Sequence, residues 1–265
     1  MDDQIGLRHI LDEDPDLGES IEGARRVIAR RRAVASVVRL ETGPADLARP
    51  FGQTAGWLGL LVLDGLILRH MRVLGRATTQ VLGAGDVLCP WEGREEWLLL
   101  PSESSLEVVM PARIALLDDR FAERVRPWPE IAAALIGRVE RRAESLALAR
   151  TVGTYPRVDV RIVALLWDLA QRFGRVVEDE TVVLPLPLTH RVLARIVGCE
   201  RQSVTSALGA LRRDGLVERS DRGFMLHGTL PLQVAFLLSR GARERRPGRF
   251  TVVPGGARGA TRAAG

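Results

Sequence analysis

Residues 189–214 read THRVLARIVGCERQSVTSALGALRRD. Apolar positions fall on two helical faces separated by a glycine: Leu193, Ala194 and Val197 before it, then Val204, Ala207, Leu208 and Leu211 after it. Two short helices crossing through a tight turn need this arrangement, with Gly198 in the turn and the apolar residues facing inward. Thr189 and Glu200 stand at the two helix starts, although glutamate caps less well than serine or aspartate. The outer face of the second helix then carries Arg201, Gln202, Thr205, Ser206, Gly209 and Arg212. A helix fits the major groove, its first residues reach base edges, and its positive end suits phosphates. Arginine can pair with guanine O6 and N7, and glutamine with adenine N6 and N7. Residues 215–228, GLVERSDRGFMLHG, read as a strand, a turn near Asp221–Gly223, and a second strand. The whole is a winged helix-turn-helix pattern and predicts double-stranded DNA as a partner.

The charge follows this reading. The net charge is +5, yet residues 240–265 hold seven arginines against Glu244, a net +6, and residues 188–228 hold a net +3. Residues 1–187 are therefore acidic, at −4. No lysine or asparagine occurs, as in chains from GC-rich genomes, so the distribution of arginine matters more than its total. A basic rear half suits nucleic acid. Residues 240–265 are poor in apolar side chains and are expected to form a disordered basic tail. Such a tail either adds salt-sensitive DNA affinity or is an inert extension.

Upstream, Glu130–Thr151 places Ile131, Leu135, Ile136, Val139, Ala143, Leu146 and Ala149 at helical spacing, which predicts one long amphipathic helix. Its stripe can meet a sister helix in a homodimer or pack on its own β domain, and the dimer is the preferred expectation. From Trp57 to Leu117 short apolar runs alternate with glycine-bearing turns, a pattern of strands in a jelly roll. Residues 19–32 look helical, 33–40 resemble a strand, and 1–20 read as a ragged start. Val158–Phe173 predicts a helix stopped by Gly174, and Val176–Leu188 a strand with a linker. The expected class is α+β, with a β jelly roll over 1–126, a dimerisation helix over 127–153, a winged helix-turn-helix over 154–239 and the tail over 240–265.

At 265 residues, 46% apolar and 27% charged, the chain can bury a sizeable core. No apolar run approaches the ~20 residues of a membrane span, and the acidic start is unlike a signal peptide. Cys89 and Cys199 are too few for a disulfide framework or a four-thiolate cluster, so a reducing cytoplasm is expected. There is no Gly-x-Ser-x-Gly, Walker loop or paired-histidine spacing, and Gly83-Ala84-Gly85 lacks the third glycine of a dinucleotide loop. Enzyme activity is not expected.

Residues 188–228 resemble the C-terminal domain of the Crp/Fnr superfamily, chiefly through Ile196-Val197-Gly198-Cys199 followed by Arg201 and Val204. The resemblance implies a cyclic-nucleotide-binding-like β domain, a homodimer on a palindromic operator, and RNA polymerase as a further partner. It implies base reading by Arg201, Gln202 and Ser206. It implies phosphate contacts by Thr189, His190, Arg191, Ser203, Thr205 and Arg212. Because the family's Arg-Glu…Arg reading set becomes Arg201-Gln202…Ser206, a different half-site is expected. Leu82–Leu88 is similar to the glycine–aspartate turn before the family's nucleotide cassette, making Gly83, Gly85, Asp86 and Trp91 candidates for an effector pocket. The turn then departs from the family: Cys89–Glu96 contains no Gly-Glu pair in the expected place, and no Arg-Ser or Arg-Thr pair follows. Cyclic AMP is therefore not expected, and no effector is identified. The oxygen-sensing branch needs four cysteines and is excluded. His70 and Cys89 are weak grounds for a metal or haem site, and none is expected. Trp57, Trp91 and Trp97 read as core or as a cavity lining, and Cys199 as a small core residue. The rival reading is a sequence-tolerant architectural DNA binder driven by the arginine tail.

Overall fold

Two long strands, β4 (Gly59–Val73) and β7 (Ser102–Leu117), pair antiparallel along almost their whole lengths and form the spine of the first half. The computed structural model describes residues 6–46, 58–88, 102–178, 180–221 and 223–244. Around the spine lie β1 (Gly6–His9), β2 (Val34–Leu40), β3 (Gly43–Ala45), β5 (Arg76–Gly83) and β6 (Val87–Leu88). The path is β1-β2-β7-β4-β5, with β3 on β7 and β6 on β4, all antiparallel. This is the jelly-roll-like domain expected, although the Glu95–Leu100 run lies outside the described residues.

The strands are longer than the sequence pattern suggests. Gly65, read as part of a turn between two short runs, lies inside β4, where the register against β7 shifts between Val62 and Ile67. Its φ is +88°, and a Cβ there would come within 2.4 Å of both Ala112 Cα and Pro111 O. The bulge flips side-chain parity. Before it, Leu60 and Val62 face one core while Leu61 and Leu63 face another; after it, odd-numbered Ile67 faces the first and Leu66 and Leu68 face a third. That third core belongs mainly to the C-terminal half, so the bulge lets one strand serve both halves of the chain.

Residues 6–21 contribute to a core as well. Ile10 and Leu11, in the one-turn α1 (Ile10–Glu13), together with Leu17 and Ile21, are buried. They pack in one cluster with Phe121 of α3 (Asp119–Val125) and with Ile131 and Leu135 of α4 (Pro129–Gly153). Helix α2 (Gly23–Arg32) is shorter than the helical stretch read from residue 19. The long helix α4 starts with proline at its first position, where the missing N–H costs nothing.

After α5 (Val158–Phe173) the apolar block up to Leu188 forms two strands, β8 (Arg175–Glu178) and β9 (Thr181–Leu184), rather than one. Their hairpin joins β10 (Val217–Ser220) and β11 (Gly223–His227) in a sheet of order β10-β11-β9-β8. Between the pairs lie α6 (His190–Val197) and α7 (Arg201–Arg213). A last helix, α8 (Leu230–Glu244), runs into the stretch read as tail. Gln233 anchors it: its amide nitrogen donates to Leu216 O at 3.1 Å and to His227 O, and its oxygen accepts from Trp167 Nε1 at 3.0 Å. Residues 245–265 lie outside the described set. No helix among the described residues is long and apolar enough to cross a membrane.

Candidate nucleic-acid interface

Thr189 caps α6, its Oγ1 accepting from Val192 N at 3.2 Å, and Gly198 ends the helix with φ +67°. This left-handed conformation favours glycine and turns the chain into α7 within three residues. Glu200 makes no side-chain cap to α7, as its poor capping propensity anticipates. Val204, Ala207 and Leu211 are buried against Leu193, Ala194 and the α5 residues Ile162, Val163 and Leu166. That packing fixes the rotation of α7. Arg201, Gln202, Thr205, Ser206, Gly209 and Arg212 are consequently exposed together, while Ser203 is half-buried at the side.

The start of α6 joins this face. Thr189 and Arg191 are exposed, and His190 Nδ1 lies 2.9 Å from Thr205 Oγ1. Burial, then the Arg219 and Arg201 guanidiniums, hold the His190 imidazole below its ordinary pKa. Of the candidate DNA contacts, His190 and Ser203 are half-buried and the others exposed. Arg219, on wing strand β10, was not singled out from sequence. It lies 5.5 Å over the Phe224 ring, and its charge bears on His190. The signal was available: β10 pairs Arg219 with Phe224 across the hairpin, and alternation places both beyond the buried Val217. Arg195, by contrast, points away from this face and donates to Glu107 of β7 at 3.3 Å.

Residues 160–228, which contain both helices and the wing, match the family of Crp-like helix-turn-helix domains. About a quarter of the chain is thus similar to the Crp-like helix-turn-helix domains. Among curated proteins it is similar to the regulatory protein CysR of Synechococcus elongatus, 32% identical over 72 residues. That match covers 26% of this chain, and the chain spans about a third (35%) of the relative's length. Among solved structures, a CooA mutant from Carboxydothermus hydrogenoformans aligns with TM-score 0.59 and 19% identity, over 86% of this chain and 94% of the other. A cyclic nucleotide-binding domain containing protein from Listeria monocytogenes gives 0.56 and 16%, over 72% and 89%. CLP, the c-di-GMP-responsive global regulator of Xanthomonas campestris, gives 0.53 and 22%, over 76% and 98%. These likenesses show that the chain shares the fold of those structures over most of its length.

The glycine–aspartate turn is engaged by the protein itself. Asp86 accepts from Gly83 N at 2.8 Å, pairs with Arg172 of α5, and lies 3.6 Å from Arg142 of α4. Arg138 donates to Asp14 at 2.7 Å and to Gly85 O at 3.3 Å. Gly85 and Asp86 therefore line a cleft of about 1240 Å3 where the β domain, α4 and α5 meet, while Gly83 packs against the Phe173 ring. Trp91, Trp57, Trp97 and Cys89 lie outside the described residues. His70 is bound to Thr79 Oγ1 at 2.9 Å and Glu107 Oε2 at 3.0 Å. The Cys199 thiol packs half-buried against the DNA-binding core, and burial pushes its pKa up.

Proposed function

We propose that the chain is a cytoplasmic, sequence-specific transcription regulator that binds a palindromic operator as a homodimer without cyclic AMP. The observation that carries the reading is the exposed N-terminal face of α7, with Arg201 and Gln202 leading and no acid in its first turn. Arg201, Gln202 and Ser206 are assigned to bases. Thr189, His190, Arg191, Ser203 and Arg212 are assigned to phosphates directly, and Thr205, whose one hydroxyl proton goes to Arg201 O, through His190.

The homodimer rests on α4. Ile131 and Leu135 turn inward, but Ile136, Val139 and Leu146 are 68%, 43% and 39% exposed, with Ala143 between them. Steps of three and four make this a continuous apolar seam that the chain's own β domain leaves uncovered. Two copies joined along it would present two recognition helices to successive major grooves, about 10–10.5 base pairs apart. Independence from cyclic AMP rests on the missing phosphate-gripping pair.

The experiment is selection from random duplex DNA with purified protein at physiological salt. The expected result is a two-fold-symmetric motif containing a guanine that Arg201→Ala erases. Salt-sensitive binding without a motif, abolished by deleting residues 245–265, would instead favour the architectural alternative.

A further inference from the structure

The hydrogen bonds around His190 determine which of its nitrogens carries the proton. Thr205 Oγ1 donates to Arg201 O at 3.1 Å, the back-bond of a helical threonine. A hydroxyl has one proton, so towards His190, 2.9 Å away, the same oxygen can only accept. Nδ1 therefore holds the ring proton, and the neutral imidazole has only a lone pair at Nε2. A phosphate oxygen is also an acceptor. The two repel unless Nε2 is protonated as well.

We propose that His190 contacts a DNA phosphate only as imidazolium, so that each protomer takes up a proton when it engages DNA. This rests on the reading of α7 as the recognition helix. The charged groups bearing on the ring are Arg201 from α7 and Arg219 from β10, both cations. Arg191 follows it on α6, and no acid is among the groups that shift it. In the free protein burial and these guanidiniums favour the neutral ring. DNA phosphates reverse the electrostatic balance, neutralising the guanidiniums and stabilising the charged ring. An arginine here would hold the phosphate at any pH; histidine makes the contact conditional.

The test is the affinity of the full chain for the duplex recovered by selection, at constant ionic strength from pH 5.5 to 8.5. Affinity should be highest and flat below the free-state pKa of His190. It should then fall towards tenfold per pH unit per protomer, and level off above the phosphate-bound pKa. His190→Arg should hold the high-affinity level throughout, and His190→Gln, whose amide cannot ionise, should be flat across the range. Thr205→Val frees Nδ1, lets a neutral ring donate from Nε2, and should shrink the slope. A flat wild-type profile, or a slope that survives His190→Gln, overturns the proposal while leaving the regulator reading intact. No binding to any duplex at any pH overturns both.

Discussion

Asp86 of the β domain and Arg172 of α5 form an ion pair across the junction between the two halves of the chain. The same carboxylate closes the glycine turn through Gly83 N and faces Arg142 of α4, so one buried side chain ties three elements. Removing the charge leaves two guanidiniums facing each other. Asp86→Asn should cost about 3 kcal/mol in urea unfolding. A double-mutant cycle with Arg172→Gln should return a coupling of about 1–2 kcal/mol. A coupling of zero would mean that the pair does not hold the junction.

Arg201 and Arg212 should differ in kind. Arg201→Ala should cost about 1–3 kcal/mol on the preferred sequence and relax preference at one base pair of each half-site. Arg212→Ala should weaken binding to all sequences alike and reduce the salt slope by about one per contact. Competition binding on single-base variants at two salt concentrations separates the two. Equal effects on specificity would remove the base-reading assignment.

Gly65 is the position where local chemistry and tertiary structure diverge most. With φ at +88° and the β7 backbone 2.4 Å from any Cβ, Gly65→Ala cannot be absorbed by a rotamer change. It should cost about 3 kcal/mol or more, read as a shift of the urea midpoint at unchanged slope. A neutral substitution would show that the bulge relaxes freely.

The same residue explains what the sequence could and could not disclose. Local signals were sufficient where local forces decide: the helix phases of 189–214, the Gly198 turn, the Thr189 cap and the long α4 all lie where periodicity put them. A glycine between two apolar runs, however, is equally compatible with a turn and with a bulge, and only the opposing Met110-Pro111-Ala112 distinguishes them. Similarly, Ile10, Leu17 and Ile21 are too sparse to announce a core, yet α3 and α4 supply the rest of it. The β8–β9 hairpin turns at Glu180, whose φ of +60° is not one its residue type advertises. The pairing of Asp86 with arginines 56 and 86 residues away has no local trace.

Asp168 on α5 gives a pH-dependent prediction. Burial raises its pKa above the ordinary aspartate value, opposed by the Arg172 charge and a Ser145 hydrogen bond and reinforced by nearby Asp86. A carboxyl whose folded pKa is raised ionises first in the unfolded chain, so its ionisation costs stability as pH rises between the two values. Asp168→Asn should therefore be more stable than wild type at pH 7. The gap should close as pH falls through the ordinary aspartate range. Urea titrations at pH 3.5 and 7 test this, and a gap independent of pH would assign the effect to packing instead.

The seam on α4 decides whether the two halves act as a pair. Ile136 and Val139 are exposed, so replacing both with glutamate removes no buried contact within the protomer and should change its own stability by only about 0.5 kcal/mol. In a parallel pair of helices the new carboxylates would oppose one another across an apolar interface, where burying like charges is prohibitive. Sedimentation equilibrium should show wild type as a dimer and the double variant as a monomer. Each monomer would still carry an intact α7, so binding to a single half-site should survive while affinity for the full palindrome collapses, because the second recognition helix is no longer tethered. A monomeric variant that kept native affinity for the palindrome would sink the homodimer reading. A variant that stayed dimeric would move the interface elsewhere, and the exposed Leu232 and Phe236 of α8 would be the next face to substitute.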